Sequence, residues 1–465
     1  MLKLFRQYYP VRNIFFVLGE GFAIYASVLL STWILLDTQV NTLSQLYSSK
    51  ALLIAVVCHL FLYYNDLYDL NVTNSFSELT IRLFQSLGAA AILLAGIYFL
   101  FPETMITRWV FAVSTVLTIT LIIVWRYGYL LILNKGWFDE NIIVIGSGGL
   151  SQSILSELHN RKDSGYRVKC VALENEKSSE MMNSKGFRTI YRPNFDGIHR
   201  IALHTGVNKI IVALADRKGS FPAKELLKCR VTGMRIVEGI SFFEMLTGKL
   251  IVHQVNPTWL IFSEGFRKSF LLRSLKRLAD LLLSLGMLIC LFPLLLLVAI
   301  LIKLDSKGNV FFSQERVGEQ RNPYNVVKFR SMVADAEKST GPVWAGDEDP
   351  RITRVGRVIR KLRIDEVPQL WNVLKGEMSF VGPRPERQFF VEQLEEIIPY
   401  YSERFSVKPG ITGWAQVSYG YGASIEDAIE KLNYDLFYIK NMSIFMDMMI
   451  VLKTVKIVLF GKGAR

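Results

Sequence analysis

Apolar residues in this chain come in long blocks early and at helical spacing late. Four blocks fill the first third, at about residues 14–36, 51–64 (extending past it), 84–101 and 109–133. Each approaches the ~20 residues needed to cross a bilayer, the second being the weakest. They predict four transmembrane helices packed as a bundle. From residue 141 to about 250 the pattern changes. Short apolar runs at 141–145, 168–173, 209–213 and 235–237 are separated by helical stretches, which predicts a central α/β, Rossmann-like module. A fifth long block covers 281–302. The remainder predicts an α-rich C-terminal domain. Amphipathic helices are expected at 386–404 and 424–438. A helix lying in the membrane interface is expected at 442–460, where Asp447, Lys453 and Lys456 interrupt the apolar run.

The fifth block differs from the first four. Lys276 and Arg277 precede it, Lys303 and Lys307 follow it, and Pro293 stands in its middle. Cations at both ends place both ends on one side of the membrane, and a mid-helix proline removes a hydrogen bond and bends the axis. A re-entrant helix over 272–303, broken at Pro293, satisfies both. The expected domains are therefore a four-span bundle (1–137), the Rossmann-like module (138–250), a connector (251–271) carrying Asn256-Pro257-Thr258-Trp259, and a C-terminal domain (272–465).

Charge adjusts this picture. The chain has 465 residues and a formal net charge of +13, with a mean hydropathy of +0.28. In an apolar chain this excess reads as membrane-surface and phosphate contacts, and no nucleic-acid module pattern accompanies it. Lys3, Arg6 and Arg12 give the first span a cytoplasmic start, and Arg126 and Lys135 mark the cytoplasmic exit of the fourth. Glu20, inside the first span, needs either a buried partner or a function. The four cysteines have no C-x-x-C or zinc spacing and read as core fillers in a reducing compartment. All five histidines precede residue 254. Ser-His and Cys-His mechanisms are thereby excluded from the C-terminal domain.

The first strand of the α/β module runs into Gly146-Ser147-Gly148-Gly149, with Ser151 where a dinucleotide fingerprint has its third glycine. Glu174 is the first acidic candidate after it. Two readings stand: a nucleotide site, or a degenerate module kept for structure, assembly or regulation. No Tyr-x-x-x-Lys pair of a reductase or epimerase is present.

The densest chemistry lies at 360–385, R-K-L-R-I-D-E-V-P-Q-L-W-N-V-L-K-G-E-M-S-F-V-G-P-R-P. Adjacent Asp365 and Glu366 cannot share one helical face, so they divide two tasks. Arg360, Lys361 and Arg363 precede them, and Arg384 sits between two prolines that limit its freedom. This basic setting suits a polyanionic ligand. It is also expected to depress the carboxylate pKa values, as suits a nucleophile or a Mg²⁺ ligand. Arg351, Arg354, Arg357 and Arg360 recur every three residues on one expected helix. The first three are assigned to lipid or structure and Arg360 to the ligand. The polar stretch 339–351 reads as a loop near the site.

This stretch, with K-F-R-S-M at 328–332 and K-P-G-I-T-G-W-A-Q-V at 408–417, resembles the signature of the monotopic bacterial phosphoglycosyl transferases over roughly 276–460. The resemblance extends to long-form members, which carry four spans and a Rossmann-like module first. It implies transfer of a sugar-1-phosphate, glucose or galactose favoured, from a UDP-sugar to undecaprenyl phosphate with release of UMP. It implies Mg²⁺ as cofactor and a site at the cytoplasmic face of the bacterial inner membrane, initiating exopolysaccharide, capsule or O-antigen synthesis. It also implies Asp365 as nucleophile through an aspartyl-phosphosugar, Glu366 as positioning or metal-supporting group, both as metal ligands, and Lys328, Arg330, Arg360 and Arg384 as substrate-binding groups. It implies the re-entrant helix too, although Phe292 stands where some relatives have Ser before the proline. The bundle and the module leave room for a homodimer. The alternatives are a membrane-anchored nucleotide-sugar enzyme using the Rossmann-like module, and a non-catalytic scaffold or sensor of polysaccharide assembly.

Overall fold

Four helices that are apolar on most faces can bury only part of their surface against one another. In the computed structural model they are α1 (Val11–Leu36), α2 (Val40–Tyr64), α3 (Phe76–Leu100) and α4 (Arg108–Asn134). The structure describes the whole chain except residues 1, 5–6, 10, 37–39, 69–75, 135, 137–138, 162–163, 174–186, 193–194, 215–220, 256–262, 264, 267, 334–348, 421, 423 and 461–465. Lys135, Glu174, the Asn256–Trp259 part of the connector and most of the 339–351 loop thus lie outside the described residues.

The described residues divide into two compact units, the first running to Gly239 and the second from Ile240 and including Lys3–Gln7. In the first, α1 packs on α2 and α4, and α2 on α3. Large apolar side chains such as Phe22, Ile92 and Phe99 stay exposed, as a hydrocarbon surrounding requires. All four helices are long and apolar enough to cross a membrane. The second begins well before the expected residue 51 and stops at Tyr64 rather than continuing. Polar residues at its start do not break a helix, whereas Asp66 in a left-handed conformation ends it (φ 60°). Glu20 does find a buried partner. Its Oε1 accepts from Nε of Arg126 at 2.7 Å, both side chains being nearly inaccessible. Arg126 Nη1 also donates to the Leu67 carbonyl.

The same unit holds a five-stranded parallel sheet of β1 (Glu140–Ile145), β2 (Tyr166–Leu173), β3 (Thr189–Tyr191), β4 (Lys209–Val212) and β5 (Arg235–Glu238), in the order β3-β2-β1-β4-β5. This is the order of the first five strands of a Rossmann sheet, with its reversal beside β1. Gly146 takes φ 126°, and a Cβ there would stand 2.3 Å from the Ala213 carbonyl oxygen. That glycine is therefore required for closing β1 against the end of β4. Helix α5 (Gly149–Asn160) follows, with Ser151 fully buried at the position where a dinucleotide fingerprint has its third glycine. The short strand β3 had no hydrophobic signature long enough to be read.

In the second unit, residues 240–255 pack on the C-terminal core. Glu244 accepts from Lys440 and Asn441, and Leu250 and Val252 enter the main hydrophobic cluster. Helix α6 (Phe270–Asp305), capped by Ser269, runs through Pro293 as one helical element without an interruption. Its first half is held by Arg277, which donates to the carbonyls of Val373 and Leu374, and by Asp280, which accepts from the Phe380 amide. Near its end, Val298 and Ile302 are buried with Phe329 and Ile359. Asp305 accepts from the Val355 amide at 3.0 Å. Three of the four cysteines are buried as expected, but Cys290 is exposed on this helix.

An antiparallel hairpin, β6 (Phe311–Val317) and β7 (Pro323–Phe329), comes next. Helix α7 (Arg354–Lys361) omits Arg351, which instead pairs with Asp349. Beyond it, α8 (Leu370–Lys375) leads to β8 (Ser379–Val381), which pairs in parallel with β9 (Gly410–Thr412). The expected helix over 386–404 is two elements, α9 (Gln388–Ile397) and a 3₁₀ turn at Tyr401–Ser406. Pro399 and the left-handed Tyr400 (φ 59°) divide them. Helices α10 (Ile425–Asn441) and α11 (Ile444–Phe460) close the unit.

Candidate functional site

Asp365 and Glu366 lie on a 3₁₀ helix, Ile364–Gln369. Its three residues per turn separate adjacent side chains by about 120°, so the two carboxylates point apart, as their adjacency required. The change of direction that sets them comes from Arg363, held in the left-handed region (φ 53°) between α7 and the 3₁₀ helix. Strand β7 packs on that helix. Asn372, fully buried, fixes the join: its Oδ1 accepts from the Val327 amide at 3.0 Å and its Nδ2 donates to the Asn325 carbonyl at 2.7 Å. Lys328, next on β7, is thereby carried to the dyad.

Glu366 is buried among three cations. Arg384 Nη2 donates to its Oε1 at 2.8 Å, Lys328 Nζ lies 3.5 Å from the same oxygen, and Arg363 Nη1 stands 3.8 Å from Oε2. Among the described residues, no hydrogen bond or salt bridge claims the carboxylate of Asp365. The two acids therefore diverge. Burial alone would raise the Glu366 carboxyl, but Arg384, Lys328 and Arg363 overrule it and hold it well below the usual carboxylate range. Burial and then the negative charge of Glu366 push Asp365 up to about 6, against the pull of Lys328, Arg360 and Arg384. The expectation of two depressed acids is thus corrected. The cations are spent on Glu366, leaving Asp365 desolvated beside a like charge. Burial lowers the Lys328 ammonium pKa, while the charge of Glu366 raises that of Arg384.

Arg384 is aimed by its turn. The Gly382 amide donates to the Thr412 carbonyl at 2.8 Å and the Gly410 amide to the Pro383 carbonyl at 2.9 Å. A Cβ on Gly410 would stand 2.0 Å from the Gly382 nitrogen, so the two glycines let the backbones touch. Arg316 donates to the Pro385 carbonyl at 3.3 Å, and the Val317 amide to that of Glu386 at 3.0 Å.

The structure therefore brings together Asp365, Glu366, Lys328 and Arg384, with Arg360 close enough for its charge to act on Asp365. It places Arg330 elsewhere. Buried, Arg330 donates to the carbonyls of Ser306 and Lys307, joining the end of α6 to the hairpin. Arg363, read in the sequence only as part of the basic setting, joins the cluster three residues before Glu366. Among the described residues no group of three or more His, Cys, Asp or Glu side chains is arranged to hold a metal ion. Both oxygens of Glu366 already face cations. The donor set fits a Mg²⁺ shared between Asp365 and the phosphates of a ligand, and does not fit an ion caged by protein groups alone.

Residues 271–461 match the family model described as bacterial sugar transferase, and residues 64–232 match one described as a CoA-binding domain. A UDP-N-acetylgalactosamine-undecaprenyl-phosphate N-acetylgalactosaminephosphotransferase of Aeromonas hydrophila is 43% identical over 240 residues, which is 52% of this chain and 56% of the relative. An undecaprenyl-phosphate glucose phosphotransferase of Komagataeibacter xylinus is 45% identical over 194 residues, 41% of this chain and 36% of the relative. The chain thus spans about half and about a third of these two. It covers 93% of the exopolysaccharide production protein PSS of Rhizobium leguminosarum bv. phaseoli, at 44% identity over 186 residues and 39% of this chain.

Proposed function

The chain belongs to the bacterial sugar transferase family, and from that premise we propose that it transfers a sugar-1-phosphate from a UDP-sugar to undecaprenyl phosphate at a membrane surface. The observation that carries this reading is the asymmetry of the dyad. Asp365 is unclaimed among the described residues, whereas Glu366 is saturated with cations.

In this mechanism a carboxylate oxygen of Asp365 attacks the β-phosphorus of the UDP-sugar. The O–Pβ bond forms, the bond from Pβ to the oxygen bridging to the α-phosphorus breaks, and UMP leaves with that oxygen. A phosphate oxygen of undecaprenyl phosphate then attacks the same phosphorus and frees Asp365. The product is the undecaprenyl-diphospho-sugar. One phosphoanhydride replaces another, so the work of the protein is to bring an anion to an anionic diphosphate. Lys328, Arg384 and Arg360 supply the cations, and Glu366 holds Lys328 and Arg384 in place. A raised pKa keeps Asp365 a stronger nucleophile once ionised than an ordinary carboxylate. Mg²⁺, when bound by Asp365 and the substrate phosphates, would neutralise charge on the diphosphate.

The acceptor is a lipid, and the anchoring of α6 supports a re-entrant path for that helix. A straight helix would hold Arg277 and Ser306 about 44 Å apart. Their partners lie much nearer than that: Val373 follows Asn372, which is hydrogen-bonded to Val327, three residues before Arg330. An axis bent at Pro293 reconciles these anchors and returns the helix to the leaflet it entered, the cytoplasmic one under the positive-inside rule. The place of this reaction at the start of an exopolysaccharide, capsule or O-antigen route belongs to the same proposal.

The test is UMP release from UDP-glucose, UDP-galactose and UDP-N-acetylgalactosamine, with undecaprenyl phosphate and Mg²⁺, by the wild type and Asp365→Asn in native-like lipid. Release that prefers one sugar and is lost in the variant is expected. No release by folded wild type from any of the three would overturn the reaction. Release unchanged in Asp365→Asn would overturn the covalent step alone.

A further inference from the structure

Arg404 stands twenty residues beyond Arg384 and belongs to the 3₁₀ turn Tyr401–Ser406, outside the dyad cluster. It is buried, and its guanidinium is used on two edges. Nη2 donates to the Arg384 main-chain carbonyl at 2.9 Å and to Oδ2 of Asp435, on α10, at 3.0 Å, while Nη1 donates to the Tyr401 hydroxyl. Asp435 is itself almost inaccessible and has Arg404 as its ion-pair partner. A buried charge pair is costly to assemble, and an apolar pair of the same volume often serves stability as well or better. Packing alone therefore leaves this pair unexplained. What it does that an apolar pair cannot is bind the main-chain carbonyl of Arg384, whose side chain donates to Glu366 at 2.8 Å. The neighbouring carbonyls are also held, Pro383 by the Gly410 amide and Pro385 by Arg316. Arg404 is the fastening at Arg384 itself.

We infer that Arg404, oriented by Asp435, is a positioning residue that fixes the backbone at Arg384 and so aims its guanidinium at Glu366 and the bound diphosphate. It rests on the proposed transferase reading and deepens it. The planar fork is what lets one side chain serve the carbonyl and the carboxylate together. A lysine at the same place keeps the charge but not that geometry.

The experiment is steady-state UMP release with UDP-sugar varied at saturating undecaprenyl phosphate, for wild type, Arg404→Lys, Arg404→Met, Arg384→Met and the double variant Arg404→Met/Arg384→Met. Each is first checked for a wild-type-like unfolding midpoint in detergent. Where Arg404→Met falls short of that midpoint, Arg404→Lys carries the test. Arg404→Met is expected to raise KM for the UDP-sugar on the order of ten-fold or more, with kcat falling less. Arg404→Lys should lie between it and the wild type. In the Arg384→Met background the Arg404 substitution should add little further, because its route of action is gone. Folded Arg404 variants with unchanged KM would overturn the inference, as would full additivity with Arg384→Met. Failure of the wild type to release UMP would instead overturn the transferase reading, and this inference with it.

Discussion

Arg384 reaches the second acid of the dyad: its Nη2 lies 2.8 Å from Oε1 of Glu366. The arginine between two prolines thus neutralises the neighbour of Asp365. This pairing separates two chemically similar side chains into an ion-paired support and an acid that is desolvated and, among the described residues, unclaimed.

The pH dependence of UMP release should show an acidic limb near the Asp365 value of about 6. Attack requires the carboxylate, so the rate rises as pH increases through that value and is lost as pH falls below it. A rate that stayed flat down to pH 4.5 in protein still folded there would contradict the assignment.

The same shift makes Asp365 a stability cost at neutral pH. A carboxyl raised from an ordinary value of 3.8 to about 6 favours the folded state fully only below the unfolded pKa, and that contribution is lost as pH rises through 6. Asp365→Asn should therefore raise the unfolding midpoint at pH 7, by roughly 1–3 kcal/mol in stability, while abolishing release. The gain should vanish toward pH 4, which thermal unfolding at the two pH values would show.

Glu366→Gln removes the negative charge that pairs with Arg384 and Lys328 without changing volume. UMP release should fall by about 10²-fold or more as those cations lose their aim. The acidic limb should also move to lower pH, because the negative charge that raises Asp365 is gone. A limb that moved upward would contradict the electrostatic account.

Gly410→Ala places a Cβ 2.0 Å from the Gly382 nitrogen, whereas a Cβ on Gly286 meets nothing within 4 Å. The first should cost more than about 2 kcal/mol and reduce folded yield, because only backbone movement relieves the clash. The second should be tolerated. Unfolding midpoints of the two variants in detergent provide the comparison.

In the first unit, Glu20→Gln or Arg126→Met alone leaves a buried charge uncompensated. Each should cost roughly 3–5 kcal/mol. The double variant should cost much less than their sum, and a double-mutant cycle on unfolding measures the difference.

Much of the architecture was written in one dimension. A bilayer or a buried sheet reads local apolar content, so the apolar blocks at 14–36 and 109–133 and the run at 141–145 announced α1, α4 and β1 from composition alone. The carboxylate dyad and the Gly-Pro-Arg-Pro turn were legible for a similar reason: charge, proline restriction and spacing are properties of neighbours. Helix ends were less so. Arg363 and Tyr400 take the left-handed region although neither residue type favours it, so nothing in their identity declares the turn. The division of labour within the site belonged to tertiary structure alone. Lys328 and Arg330 sit two residues apart in one motif, yet one meets Glu366 and the other the carbonyls at the end of α6. Arg404 and Asp435, buried together beneath Arg384, come from segments with no shared pattern. Hydrogen bonds and desolvation depend on distance in space, and only the folded chain supplies it.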